Sequence, residues 1–335
     1  MILPAIMPLD TAHAQRGADV WHFGEHASIR FDSNRVPHSE RGSAKPAWII
    51  GGCASICDPL TGQLLMYTNG FTVWDRNNMI ITNGDGLDGS GLVEQSSLFL
   101  RDPANPNNYV LVTNSDFWPI NRRQSGLYYS TIQSDSGGRN LHVVLKNIPM
   151  WSNQFPGYTT HGLIGIRRCS GVGYWVIGQP TSSYQFLIWS LDSTGMSHPP
   201  SIQTPGPLHS TGSIGGTMKA TVDGRRIAVI RSCRPQPCEL QAVDLIDFDP
   251  VTGRIDPATI LSIPMSSSGA IGAAFSPDGT KLYVTENYAR FGGNTTTRML
   301  QYDLSAGDSA AIVGSRYVVA DTSREAMGLM QLAGC

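Results

Sequence analysis

Apolar and polar positions along this chain alternate in short runs of four to six residues, each entered through a turn signal. The clearest series is Gln63-Leu64-Leu65-Met66-Tyr67-Thr68, Tyr109-Val110-Leu111-Val112-Thr113, Tyr174-Trp175-Val176-Ile177, Arg226-Ile227-Ala228-Val229-Ile230 and Lys281-Leu282-Tyr283-Val284-Thr285. Turns of one kind precede four of them: Asp58-Pro59-Leu60-Thr61-Gly62, Asp102-Pro103-Ala104-Asn105-Pro106, Val222-Asp223-Gly224 and Ser276-Pro277-Asp278-Gly279. Asp-Gly and Pro-Asp-Gly supply the backbone geometry of tight hairpins. Small and apolar residues stand ahead of the turns, at 51–56, 97–100, 162–166 and 270–275, as expected of strands crowded near an axis. Behind each run comes another: Phe71-Thr72-Val73-Trp74-Asp75, Gly126-Leu127-Tyr128-Tyr129-Ser130, Phe186-Leu187-Ile188-Trp189-Ser190, Ala242-Val243-Asp244-Leu245-Ile246 and Met299-Leu300-Gln301-Tyr302-Asp303. Equivalent strands recur about every 50 residues, the size of a four-stranded blade. The pattern predicts an all-β chain, a β-propeller of four-stranded antiparallel blades. Five blades are traceable and the ring holds up to seven; a β-sandwich is the structural alternative.

Composition agrees with many short elements. The 335 residues are 41% hydrophobic and 15% charged, with 36 Gly and 21 Pro. The 24 Lys and Arg against 26 Asp and Glu leave a net charge of -2, and no basic run offers a phosphate-tracking stripe, which argues against nucleic acid. No apolar stretch has the length of a membrane-spanning helix. Residues 1–15 are apolar and end in Ala12-His13-Ala14, a small-x-small cleavage pattern, although a basic leader is missing and Asp10 interrupts it. The expected organisation is an export-signal remnant at 1–15 and a propeller domain at 16–335.

An exported chain with six cysteines is expected to pair some of them. Cys233 and Cys238 flank Arg-Pro-Gln-Pro and form the candidate disulfide. Cys53 and Cys57 are expected to share one face of a strand, too far apart to bond each other and without zinc-site spacing.

Two resemblances follow from residues in these elements. Phe275-Ser276-Pro277-Asp278-Gly279-Thr280-Lys281-Leu282-Tyr283-Val284-Thr285 resembles a YVTN-type propeller repeat. The order Trp21-His22-Phe23-Gly24, Gly52-Cys53-Ala54-Ser55-Ile56, Tyr67-Thr68-Asn69-Gly70, Val73-Trp74-Asp75, Gln95-Ser96-Ser97, Met218-Lys219-Ala220 and Gln301-Tyr302-Asp303-Leu304-Ser305 resembles the N-terminal propeller region of large secreted and cell-surface proteins of gliding bacteria, substrates of type IX secretion. That family continues past Gly328-Leu329-Met330-Gln331-Leu332 with further strands, which leaves a truncated or reduced ring as one expectation. An N-terminal strand spanning Trp21 to Phe31 is expected to help close it.

Candidate chemistry is sparse. His22-Phe23-Gly24-Glu25-His26 matches H-x-x-E-H, but the zinc chemistry of that string needs a helix, and a Gly-containing strand-like segment predicts a turn instead. Asp85 and Asp88, in the Gly-rich stretch 83–90, are candidate Ca2+ ligands, although the spacing fits no complete calcium loop. His161, His209 and Lys219 fall near inner strands and are candidates for an axial polar cluster, or for bonds within the core. Of the seven tryptophans, Trp74, Trp175 and Trp189 fall on strands, whereas Trp118 and Trp151 fall in Pro- and Asn-rich stretches and are the candidates for an exposed recognition surface. No nucleophile elbow or Walker loop is present. The expected function is a noncatalytic interaction or adhesion module. The alternative is a lactonase-like propeller hydrolase with an axial polar or metal site, which rests on analogy of fold.

Overall fold

The computed structural model describes residues 18–23, 26–34, 36–41, 52–91, 94–115, 126–135, 140–152, 159–169, 171–180, 183, 185–205, 213–233, 241–265, 269–289, 295–322 and 330. Six antiparallel sheets follow one another along these residues. The first is β1 (Val20–Phe23), β2 (Ala27–Phe31) and β3 (Pro37–Arg41), and the second is β4 (Ala54–Cys57), β5 (Leu64–Thr68) and β6 (Val73–Asp75). The third is β7 (Ser97–Arg101), β8 (Tyr109–Ser115), β9 (Gly126–Ser134) and β10 (Leu141–Ser152). In the fourth, β11 (Thr159–Arg167), β12 (Tyr174–Pro180) and β13 (Phe186–Asp192) are followed by β14 (Gly195–Met196) and β15 (Ser201–Gln203), which share the outer place beside β13. In the fifth, β16 (Ser213–Gly215) and β17 (Met218–Ala220) share the inner place beside β18 (Arg226–Cys233), with β19 (Ala242–Asp249) and β20 (Arg254–Pro264) outside. The sixth is β21 (Ala270–Phe275), β22 (Lys281–Ala289), β23 (Thr295–Asp303) and β24 (Tyr317–Thr322), with a short helix α1 (Ser309–Gly314) before β24.

The repeating runs of the sequence are the second strands β5, β8, β12, β18 and β22, and the runs behind them are the third strands. Each of these strands is apolar on both faces because blades pack face to face. Five apolar clusters fill the gaps between consecutive sheets. Trp189, fully buried, packs between the third and fourth sheets, and Tyr302 between the fifth and sixth. The chain is therefore a β-propeller of six antiparallel blades, three or four strands wide.

One expectation is corrected. The segment from Trp21 to Phe31 is not one strand but a hairpin, β1 and β2, turning at His26 with φ of 57°. With β3 it makes a sheet of its own, so six blades are described, one beyond the five traceable in the sequence and within the expected limit of seven. The turn also separates the histidines of the H-x-x-E-H string: His22 lies on β1 and His26 in the turn, with no helix to align them.

Candidate interaction face and axial channel

Inner strands β4, β7, β11, β17 and β21 stand side by side in chain order and run in one direction. Start meets start throughout. Ser96 Oγ donates to Gly52 O at 2.8 Å, and Thr217 Oγ1 donates to Ile271 O at 3.3 Å. A Cβ on Gly162 would lie 2.8 Å from Met218 Cγ and Cε and 3.2 Å from Gly216 O, so a larger residue would force the Met218 side chain to shift. With the inner strands parallel and each blade antiparallel, the connections from first to second and from third to fourth strand lie at one end of the ring. The connections from second to third strand, and from blade to blade, lie at the other.

The first end is built of turns that consume their own polar groups. In Thr221-Val222-Asp223-Gly224, Asp223 Oδ1 accepts from Thr221 Oγ1 at 2.6 Å and from Arg225 N at 3.1 Å, and Gly224 sits at φ of 70°. Ser276-Pro277-Asp278-Gly279 repeats this: Asp278 Oδ1 accepts from the Ser276 hydroxyl and from Thr280 N, and Gly279 has the same φ of 70°. The third-to-fourth turns use an aspartate in the same way, at Asp75, Asp192, Asp249 and Asp303. Arg226 and Lys281, which open β18 and β22, each reach 2.7 Å to the aspartate across the strand pair, Asp247 and Asp303.

These bonds hold the carboxyls of Asp192, Asp249, Asp278 and Asp303 below their usual range. Lys281, then the Ser305 hydroxyl and N–H, bring Asp303 to about 2. Asp278 is lowered by the Ser276 hydroxyl and the Thr280 N–H, Asp249 by the Thr252 hydroxyl and Asp192 by the Thr194 hydroxyl. A depressed folded-state pKa contributes stability that is present above the unfolded value of about 3.9 and lost as pH falls through the folded one. The stability these turns supply should therefore be constant from neutral pH to about pH 5 and fall steeply between about pH 4 and 2, on top of a loss that begins below about pH 6.5 where the buried neutral His22 disfavours folding. Asp303→Asn should remove part of that fall; melts independent of pH down to about 2 would show the turns contribute nothing.

At the other end, Gln95 reaches from the third blade to the fifth. Its Oε1 accepts from Met218 N at 2.7 Å and from Leu163 N at 3.2 Å, and its Nε2 donates to Met218 O at 2.7 Å. One glutamine side chain thus ties the third, fourth and fifth blades. Next along β17, Lys219 is enclosed on most sides yet keeps partial solvent exposure. Burial alone lowers its pKa, and no described residue pairs with it.

The remaining candidates are dispersed. Trp151 is 6% exposed and packs between the third and fourth blades, not on the surface, because β10 continues through it to Ser152. Trp118, His209 and Cys238 lie outside the described residues, and of His161 and Cys233 only the backbone is described, in β11 and β18. Asp85 is exposed with Lys146 Nζ 3.9 Å away, and Asp88 N donates to Asn147 Oδ1 at 2.9 Å, so this loop is fastened to β10. Among the described residues no three His, Cys, Asp or Glu side chains gather as a metal-binding set.

Cys53, Cys57 and Cys169 are free thiols. Burial pushes Cys53 and Cys57 up to about 11, so both stay protonated, and Cys53 Sγ donates to His22 O at 2.8 Å. His22 stacks on Tyr67 at 4.4 Å, which stacks on Trp74 at 5.3 Å. Burial, and then Arg30, lower the His22 pKa against the pull of Glu40, which keeps the ring neutral inside this stack.

No protein-family model matches the chain, and no curated protein matches it. Solved structures do. The β-propeller domain of Cps50 (Swd1) from Myceliophteria thermophila is 11% identical with a TM-score of 0.45, over 94% of this chain and 89% of that one. The periplasmic gluconolactonase PpgL of Pseudomonas aeruginosa is 12% identical with a TM-score of 0.47, over 90% and 78%. A putative TolB from Agrobacterium tumefaciens is 16% identical with a TM-score of 0.35, over 76% of each chain. At such scores the likeness carries no argument, and the propeller assignment stands on the strand order and blade packing above.

Sequence reasoning did not single out the bridging role of Gln95 or the buried pair Arg231 and Asp244. A polar residue directly ahead of an inner strand was the available signal for the first. An aspartate interrupting the apolar run Ala242-Val243-Asp244-Leu245-Ile246 was the signal for the second.

Proposed function

We propose that this chain is an exported, noncatalytic propeller that acts as an interaction or adhesion module at or outside the cell surface. It holds a protein or glycan through the end of the ring that carries the second-to-third and blade-to-blade connections. The observation that supports this is the contrast between the ends. At the turn end the aspartates are committed to their own backbone and to neighbouring strands, which leaves few groups for a partner. The other connections include 116–125, with Trp118, Arg122 and Arg123, and the Pro-containing 206–212 and 234–240. Export is supported by residues 1–15 and their Ala12-His13-Ala14 pattern. Among the described residues no helix is long and apolar enough to cross a membrane.

The test is attachment to cells and to a glycan array before and after Trp118→Ala. The variant is expected to melt with the parent and to attach at least about tenfold more weakly, the usual loss for a recognition aromatic. Unchanged attachment removes the 116–125 connection from the reading. What favours the second reading, a propeller hydrolase, is Lys219, enclosed beside the axis with no described partner to neutralise it.

A further inference from the structure

The chain has four lysines, Lys45, Lys146, Lys219 and Lys281, of which the last three are among the described residues. Two of these have partners. Lys146 Nζ donates to Asn83 Oδ1 at 2.8 Å with Asp85 Oδ1 3.9 Å away, and Lys281 Nζ lies 2.7 Å from Asp303 Oδ2. Lys219, the most enclosed of the three, has no hydrogen bond or ion pair with a described residue.

The ladder fixes where its side chain points. Met218 and Ala220, its neighbours on β17, pack in the cluster between the fourth and fifth blades, so strand alternation turns Lys219 toward the sixth. Its ladder partner on β18 is Ala228, fully buried in the cluster between the fifth and sixth blades. Thr217 Oγ1 bonds Ile271 O and β17 runs alongside β21 in one direction, so Lys219, two residues on, stands level with Ala273, which is 1% exposed. Two methyl groups thus flank the lysine stem. The nearby buried acids are engaged elsewhere: Asp244, opposite Val229 on the other face of this blade, holds Arg231, and Glu286 has Arg316 Nη2 3.8 Å away. Burial is accordingly the sole cause that lowers the Lys219 pKa, with no charge contributing. An ammonium without a counter-charge is costly in such a place, whereas the neutral amine is tolerated.

We propose that Lys219 is a covalent site for small aldehydes and ketones, which it holds as an imine between the fifth and sixth blades. The amine nitrogen adds to the carbonyl carbon to give a carbinolamine. The C–N double bond then forms as both amine protons leave with the carbonyl oxygen as one molecule of water, and no oxidant or metal takes part. The reaction consumes the unprotonated amine, the form that burial favours here. Its product, a neutral imine, needs no counter-ion among the surrounding methyl groups. Partial exposure gives a small carbonyl compound access, and enclosure on most sides excludes a bulky one. The site does not rest on the attachment reading, and Trp118→Ala should leave it unchanged.

The experiment treats the full chain with acetaldehyde and sodium cyanoborohydride, which traps each imine as an ethylamine, and maps the products by peptide mass spectrometry. At early times and neutral pH Lys219 should be ethylated at least about tenfold faster than Lys146 or Lys281. That ratio should rise as pH is lowered from about 8 to 6, because an amine of lowered pKa stays neutral where the other two are protonated. An aldehyde-bearing dextran, too large to enter, should label Lys146 and Lys281 alone. In urea, where the fold is lost, the three lysines should react alike. Ethylation of Lys219 no faster than of Lys146, a ratio that stays constant with pH, equal labelling by the dextran, or a preference that persists in urea overturns the proposal.

Discussion

Trp151→Ala is expected to be among the most damaging single substitutions in this protein, removing a large fraction of its stability. The indole is buried between β10 and the fourth blade, in a cluster with Met150, Leu127, Leu187 and Trp189. Removing it takes away its transfer free energy and leaves a cavity that neighbouring strands, fixed by their ladders, cannot collapse to fill. The cost for such a change is about 3–5 kcal/mol, against a total of roughly 5–15 kcal/mol for a typical domain. Chemical denaturation of Trp151→Ala beside Trp151→Phe measures it, the latter keeping most of the volume. A loss below about 1 kcal/mol would mean the ring is at a surface after all. Any loss of attachment in a Trp151 variant therefore reports unfolding, and only Trp118 tests recognition.

Asp244→Ala should cost about as much, for a different reason. Asp244 is wholly buried, with Oδ2 2.8 Å from Arg231 Nε and Oδ1 accepting from Arg231 Nη2 at 3.0 Å and from the Ser262 hydroxyl. Burial pushes its carboxyl up, and Arg231 and Ser262 oppose that. Removing the aspartate strands a guanidinium that is itself only 9% exposed. Breaking one side of such a pair costs about 3–5 kcal/mol. The double variant Arg231→Met/Asp244→Leu should recover most of that loss, because no charge is then left uncompensated. A double variant no more stable than Asp244→Ala would show that the pair is packed for shape more than for charge.

The blades were legible because propeller packing writes itself into sequence. A strand covered on both faces must be a continuous apolar run, and Tyr109-Val110-Leu111-Val112 or Arg226-Ile227-Ala228-Val229 is such a run. The tight turns were legible because Gly224 and Gly279 need a left-handed backbone and the aspartates before them cap it. The first blade was not, because β2 and β3 are half-exposed or exposed and carry polar residues, which hides their period. Trp151 was misjudged because its neighbours Pro149 and Asn153 suggest a loop, while β10 tolerates register shifts at Pro149 and runs on. Contacts between inner strands of different blades leave only a faint local signature, a polar residue ahead of a strand. Gln95 and Met218 are 123 residues apart, and nothing near either announces the other. They nonetheless belong to two of the short strings that carry the family resemblance, as do His22, Tyr67 and Trp74, which stack together. What those strings share is contact in space.

The reach of Gln95 also sets which blades hold together. Because Gln95 reaches past the fourth blade to the fifth, those three blades cannot separate one at a time without breaking bonds on both sides of the middle one. Mechanically they form a single body, and stretching or heating should part the third, fourth and fifth blades together, not in succession.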